Sequence, residues 1–480
     1  MLAVAIAALI ALRVAMAALL PLSFDEAYYW LWSKHLALSY YDHPPLIAYA
    51  IRAGTTLVGD SAFGVRLLPL LFSGIASWAV WRAGAILLRG EEGGLLSCLF
   101  FNLTLMTAAE TMTASPDAPL MMAAALFVWA LVRLEDTRDG RWWLAVGAIG
   151  GLALLSKYTA LFLGLGAGCW LVCTRDGRRW IATPWPWAGV MLAFALFAPV
   201  IIWNAQHQWI SFRFQFGKAG AGHFAPRFLA EFLAGQIAMA TPFIFALGAI
   251  GLADRRRARS ALLLAFVVPS AIFFTEHALH DRVQGNWPSF LYPAFAIAAA
   301  EAALHGTGAG WPDRFTRFAK TYAAPVAALF LAVVYGQALF GFLPMRDPTA
   351  RLLASGFVPV AQSIDALRKE THAGAVLTTN YAPAGWLAFY LPGRPPVVQI
   401  NEAYRWLAAP KAGAALLKGP LLYVTESGRD QTAIVARSFS KLRLLARLAR
   451  IRGGRTVSRY DVYLVSGWRG DGAGRITNGP

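Results

Sequence analysis

The chain has 480 residues, of which 58% are hydrophobic and only 14% charged, and its mean hydropathy is +0.50. Soluble domains carry about 25% charged residues, so one large soluble core is excluded, and apolar runs of the roughly 20 residues a bilayer crossing needs recur along most of the sequence. The net charge of +17 does not point to nucleic acid, because the arginines sit in short loops between apolar runs, where the positive-inside rule places them.

In chain order, the first apolar stretch runs from Met1 to about Leu22. It has no basic leading region and no small-residue cleavage site before Ser23, so it predicts an uncleaved membrane helix rather than a signal peptide. Arg13 lies in its middle, and a charge there is expected to face the interior of the bundle. Ten further spans are predicted at roughly 65–88, 93–109, 118–134, 142–156, 158–174, 187–203, 228–251, 260–275, 289–305 and 321–343, about eleven in all.

Orientation follows from the loops. One alternate set holds Arg89, Arg133, Arg138, Arg141, Arg175, Arg178, Arg179, Arg255, Arg256, Arg257, Arg259, Arg314, Arg317 and Lys320, fourteen cations. The other set holds Lys34, Arg52, Lys157, Arg213, Lys218, Arg227 and Arg282, seven cations in longer loops. The first set is therefore cytoplasmic, with the N-terminus inside and everything after about 344 outside. A multi-pass protein of a bacterial inner (plasma) membrane is the expected setting. Cys98, Cys169 and Cys173 all fall in apolar runs and offer neither a disulfide framework nor metal spacing.

Two domains are expected: a membrane domain over 1–343, with a large first outer loop over 23–64, and a soluble extracytoplasmic α/β domain over 344–480. In the latter, Ala375–Thr379, Pro396–Ile400 and Pro420–Thr425 read as short strands bounded by Gly and Pro. Ala384–Leu391 reads as a helix, Gln431–Arg450 as a basic amphipathic helix, and Tyr460–Ser466 as a last strand. Strands interleaved with helices argue for an α/β arrangement.

The first outer loop carries Phe24-Asp25-Glu26-Ala27-Tyr28-Tyr29-Trp30, then Tyr40-Tyr41-Asp42-His43-Pro44-Pro45. An interfacial aromatic belt accounts for the rings. It does not account for three carboxylates and a histidine gathered just beyond a membrane helix, which points to chemistry. Asp117 at the outer end of its span is either a helix cap or a site acid. Lys157, in a tight outer turn, and Arg66, at the start of the second span, are either snorkelling cations or phosphate ligands. His207, His223, Glu276, His277, His280, Asp281 and Arg282 follow in later outer loops. A divalent metal held by Asp42 and a later histidine stays open, without any fixed-spacing motif such as HExxH. These groups come from separate loops that share one face. A transporter would place its ionisable groups near the midplane.

DEAYYW, YYDHPPL, GDSAFGVRLLP, SPDAPL, SKYTALF and NWPSFLYP, in this order and spacing, resemble the membrane glycosyltransferases of families 39 and 83. These include the protein O-mannosyltransferases and the aminoarabinose–lipid A transferases. The resemblance covers about 1–300 and is densest over 20–160. It implies a polytopic α-helical C-type glycosyltransferase fold, with two short helices in the first outer loop lying along the membrane. It also implies a polyprenyl-phosphate-linked sugar donor, a lipid A, glycan or protein acceptor, and inversion at the anomeric carbon. Carried over residue by residue, the catalytic carboxylate is Asp25, with Glu26 beside it and Asp117 as the acid of the second outer loop. Asp42 matches a supporting or metal-binding acid. Lys157 matches the lysine of the later turn; together with Arg66 and His43 it makes up the expected donor-phosphate ligands. The position after Asp42 is typically lysine in the lipid A branch and is His43 here, a departure at the phosphate contact that leaves the sugar open.

The residue types suit that chemistry. A carboxylate can take the proton from an attacking hydroxyl, and cations can meet the charge that develops on a departing lipid phosphate. Neither GxGxxG nor a Walker A motif is present, in keeping with a donor that is not a nucleotide. A transporter or flippase for lipid-linked sugars, or a polymerase or ligase, is the alternative.

Overall fold

The computed structural model describes residues 1–217, 223–253, 260–306, 311–343, 347–429, 431–470 and 474–477. The arginine-rich loop at 255–259 expected on the cytoplasmic side lies outside them. Every apolar segment expected to span is helical. Among the described residues, six helices are individually long and apolar enough to cross a membrane: Leu2–Leu19, Ala62–Leu87, Asp117–Thr137, Trp185–Gln206, Ala261–Ala278 and Asp313–Phe340. The protein is thus a multi-pass membrane protein.

Two expected spans are broken. The segment 228–251 forms two helices, Arg227–Ala240 and Pro242–Ala253, bent by 101°. Thr241 between them has φ +67°, and Pro242 has no N–H to continue the ladder. The segment 93–109 divides into Glu91–Leu103 and Leu105–Glu110, because the Thr104 side chain accepts from Thr107 N at 3.2 Å and starts a new helix.

The chain folds as two compact units. The first comprises Met1–Ala17, Asp42–Ile47 and Arg66–Val333. Small residues bring its helices together, as apolar packing within a membrane favours. A Cβ at Gly147 would strike the Gly189 backbone, and one at Gly251 would strike the Ala298 carbonyl. Arg13 is 2% exposed and faces the bundle interior as expected. It donates to Ser73 Oγ at 2.5 Å and to Asn102 Oδ1 at 3.1 Å, so the buried charge is met by polar groups.

The second unit comprises Ala18–Tyr41, Ala48–Val65 and Val334–Pro480. Much of the first loop therefore groups with the C-terminal domain, rather than with the membrane domain drawn over 1–343. The reason lies in the aromatic helix Phe24–Lys34. Tyr28, Trp30 and Trp32 are buried in it and pack against the helix Tyr381–Tyr390. Trp30 meets Phe389 edge-on at 5.0 Å, and Tyr28 meets Tyr381 at 4.9 Å. Gly385 allows the approach, since a Cβ there would come within 2.9 Å of the Ala27 and Tyr28 backbone. Asp60 completes the join, accepting from Trp30 Nε1 at 2.7 Å and pairing with Lys34 at 2.7 Å and Arg394 at 3.1 Å. The rings are core rather than an aromatic belt.

The domain's sheet contains β1 (Val376–Thr378), β2 (Val397–Gln399), β3 (Leu421–Glu426), β4 (Phe439–Arg452), β5 (Arg455–Trp468) and β6 (Arg475–Ile476), in the order β4-β5-β3-β1-β2-β6. The three expected short strands are β1 to β3, mutually parallel, and the expected helix is Tyr381–Tyr390. Leu377, Val398, Tyr423, Phe439 and Val465 form its core.

The amphipathic helix expected over Gln431–Arg450 is a correction. Only Thr432–Ser438 is helical, and the rest is β4. Gly453 and Gly454 both have positive φ, +53° and +73°, which is what a tight two-residue hairpin turn requires. That turn folds β4 back on β5, with Leu442 opposite Val465 and Leu444 opposite Tyr463. The alternation Lys441-Leu442-Arg443-Leu444 is the period-two signal that a helical count conceals. For the same reason Tyr460–Ser466 extends to a long β5, and the short β6 lies beyond it.

Candidate active site

Within the first unit, the structure brings Asp117 and Lys157 together. Asp117 opens the helix Asp117–Thr137, but its side chain does not cap that helix. Lys157 ends the short turn after the helix Trp142–Leu154. Lys157 Nζ lies 2.8 Å and 3.0 Å from the two Asp117 oxygens. Asp117 is 2% exposed and Lys157 6%. Asn286 Nδ2 donates to Asp117 Oδ2 at 2.9 Å, and Ser289 Oγ donates to Oδ1 at 2.7 Å. Each oxygen thus accepts two hydrogen bonds, which fills most of the acceptor capacity of a carboxylate. Lysine has a third proton beyond the two Asp117 oxygens it reaches. The arrangement fixes a buried ammonium in direction as well as position.

Asn286 and Ser289 lie within the NWPSFLYP motif, yet nothing in their spacing assigned them to Asp117. Arg66 is 1% exposed, with Nη1 donating to Ala17 O at 2.9 Å. Asp42 is 8% exposed, and its carbonyl accepts from Gln215 Nε2 at 2.5 Å. Gln215 has no motif around it and was not legible as a site residue. His43 follows Asp42 in the same buried-to-intermediate stretch.

Asp25 and Glu26 belong to the second unit, in the first turn of the helix Phe24–Lys34. Glu26 is fully buried and forms a capping box. Its Oε2 accepts from Ser23 N at 2.8 Å, and Ser23 Oγ accepts from Glu26 N at 3.1 Å. Asp25, one residue earlier, is half-buried and points in another direction about the helix axis. The two neighbouring acids therefore have different surroundings, Glu26 engaged in the capping box that starts the helix and Asp25 not part of that box.

The later loop groups are used locally. His207 Nδ1 lies 2.7 Å from Trp203 O and its ring stacks on Trp203. His280 pairs with Glu276 at 3.3 Å and Arg282 with Glu231 at 3.1 Å. Among the described residues, no group of three or more His, Cys, Asp or Glu side chains that could hold a metal ion comes together.

Residues 42–203 match the family model of dolichyl-phosphate-mannose-protein mannosyltransferases. The lipid A galacturonosyltransferase RgtD of Rhizobium johnstonii is 28% identical over 367 residues, covering 74% of this chain and 75% of the relative. The lipopolysaccharide core galacturonosyltransferase RgtA of the same organism is 24% identical over 211 residues, covering 41% of this chain and 40% of the relative. Among solved structures, ArnT from Cupriavidus metallidurans bound to undecaprenyl phosphate superposes with a TM-score of 0.64 at 15% identity, covering 96% of this chain and 97% of that one. At that identity the likeness speaks to the fold. The ordered motifs, the matched segment and the curated relatives point to a glycosyltransferase, and the superposition along nearly the whole chain shows the C-type fold.

Proposed function

We propose that the chain is an inverting glycosyltransferase that moves a sugar from a polyprenyl-phosphate carrier to an extracytoplasmic acceptor, with lipid A as the leading acceptor class. The carrier is the chemistry named for ArnT, and the acceptor is the one named for RgtD. The observation that carries the reading is the buried Lys157 ammonium, held by Asp117, Asn286 and Ser289. A cation fixed in this way suits a phosphate that gains charge as its bond to the sugar breaks.

In the proposed step, an acceptor hydroxyl attacks the anomeric carbon. The new C–O bond forms as the bond to the carrier phosphate breaks, and the electron pair leaves on that phosphate. The hydroxyl proton passes to the Asp25 carboxylate, acting as general base. One displacement gives inversion. Lys157 and Arg66 meet the phosphate, Asp117 positions Lys157, and Asp42 and His43 support the same face. Glu26 holds the helix start that presents Asp25.

Mass spectrometry of lipid A, glycans and envelope proteins from cells with and without the gene tests the reading. One sugar residue should disappear from one acceptor class and return with the gene. Unchanged spectra in all three classes, with the lipid-linked donor building up on neither side, overturn it. The proposed orientation has the C-terminal domain outside. A reporter fused after Pro480 should then read extracytoplasmic and one near Arg256 cytoplasmic, and the reverse pattern removes the shared outer face.

A further inference from the structure

The second unit holds a cavity of about 430 Å³ that the proposed transfer step does not use. Its size is within the range of about 300–1,000 Å³ found for small-molecule sites. The cavity sits where the sheet reverses direction. From β1 the chain crosses to β2 on one side and then returns to β3 on the other. Connections leave the carboxyl ends of β1 and β3 in opposite directions, and open α/β sheets bind ligands in the crevice this leaves. Thr378 and Thr379 at the end of β1, and Thr425 and Glu426 at the end of β3, line the cavity.

Position alone does not make a site. The second observation is a set of buried polar atoms. Among the described residues, Thr378 Oγ1, Trp386 Nε1, Gln431 Oε1 and Arg450 Nε have no hydrogen-bond partner, and all four side chains line this cavity. A buried polar atom left unsatisfied costs about 1–3 kcal/mol, and native proteins contain few. Four of them around one hollow call for an occupant that supplies partners.

Charge indicates which occupant. Arg450 is 2% exposed, and its Nη1 and Nη2 donate to the carbonyls of Leu353 at 3.2 Å and Ala350 at 3.0 Å. Carbonyls satisfy the donors without balancing the charge. Burial holds this guanidinium below the usual arginine range, with Tyr460 and Glu426 acting in the opposite sense. Arg351 and Arg429 also line the cavity. Glu426 is the only carboxylate among the described lining residues, and it is shared with Arg429 at 3.8 Å. A buried charge needs a counter-charge, and water does not supply one.

The helix beginning at Tyr381 is not the anchor, because Tyr381 N already donates to Glu402 Oε2 and Ala382 N to Asn380 Oδ1. The walls add aromatic faces: Arg450 lies 4.9 Å over the Trp386 ring, and Phe24 stands nearby in the lining. Ring faces beside hydroxyls and a guanidinium match a pyranose, whose C–H face is apolar and whose edge is polar. They match a bare inorganic anion less well.

We propose that this cavity binds an anionic sugar, a pyranose bearing a carboxylate or a phosphate, with the anion at Arg450, the ring against Trp386 and hydroxyls at Thr378 and Gln431.

The test is thermal unfolding of the purified full-length chain in detergent, titrated with glucuronate, glucose 1-phosphate and methyl glucoside. A ligand that binds the native state raises the midpoint with its concentration. At least one of the two anionic sugars should do so saturably, while neutral methyl glucoside does not. Which of the two acts tells a carboxylate source from a phosphate source. Arg450→Gln should abolish the shift. Should that variant not fold, Thr378→Val decides: it removes an unpaired hydroxyl at constant shape, so the free protein should be as stable or more stable. Its response to the sugar should weaken about three- to tenfold. No shift with either anionic sugar, an equal shift with methyl glucoside, or a full response in the variants overturns the proposal. Sugar transfer is not part of the readout, so failure here is separate from failure of the transfer reading.

Discussion

Asp25→Asn should lower sugar transfer by about 10²–10⁴-fold, the usual contribution of general acid–base catalysis, with membrane expression and thermal stability near wild type. Asparagine keeps the shape of the side chain and removes its basicity, so the substitution separates chemistry from packing. The neighbouring acid supplies the control. Glu26 starts its helix through the capping box with Ser23, and glutamine serves in that box as well as glutamate does. Glu26→Gln should therefore reduce transfer far less, and Glu26→Ala should show mainly a stability loss of about 1 kcal/mol. The comparison is made on purified protein with a lipid-linked donor, following product formation at saturating acceptor. Near wild-type turnover in Asp25→Asn would move the proton-accepting role elsewhere.

The second large effect is on folding as well as on donor use. Lys157→Ala leaves the buried Asp117 carboxylate with only Asn286 and Ser289, and Asp117→Ala leaves the buried Lys157 ammonium without its counter-charge. Removing one partner of a buried ion pair typically costs about 3–5 kcal/mol. Each single substitution should thus lower the unfolding midpoint in detergent strongly. A snorkelling lysine on the outer surface would predict almost none of this. The double variant Asp117→Asn/Lys157→Gln removes both charges and keeps the polar contacts, so its loss should be well below the sum of the single losses.

That double variant also isolates the donor role. It should fold, yet use donor roughly ten- to a hundredfold less well, because a charge-assisted contact to the phosphate, worth about 1.5–3 kcal/mol, is gone. Donor kinetics unchanged in a folded double variant would leave Lys157 with a structural role alone.

Much of this protein was legible in its residues. Apolar runs and loop arginines carry a span-by-span signal, because a bilayer core satisfies no backbone group and only helices cross it freely. Each predicted apolar segment is helical. The ordered motifs of the first 300 residues carry the resemblance to membrane glycosyltransferases. The short strands β1 to β3 could be read from their Gly and Pro boundaries. Other features depend on contacts far apart in sequence. The Phe24–Lys34 rings could be read as an interfacial belt until the helix at Tyr381–Tyr390 was found packed on them. Asp117 could be read as a cap until Lys157, 40 residues on, and Ser289, 172 residues on, were found at its oxygens. The basic stretch after Gln431 has enough leucine at helical spacing to read as a helix, and its pairing with β5 overrides that local preference. Periodicity reports which residues avoid water, not which neighbours they find. The sequence by itself therefore determined the membrane class and where the apolar helices run, and only the tertiary structure decided which of them break and what each buried charge is paired with.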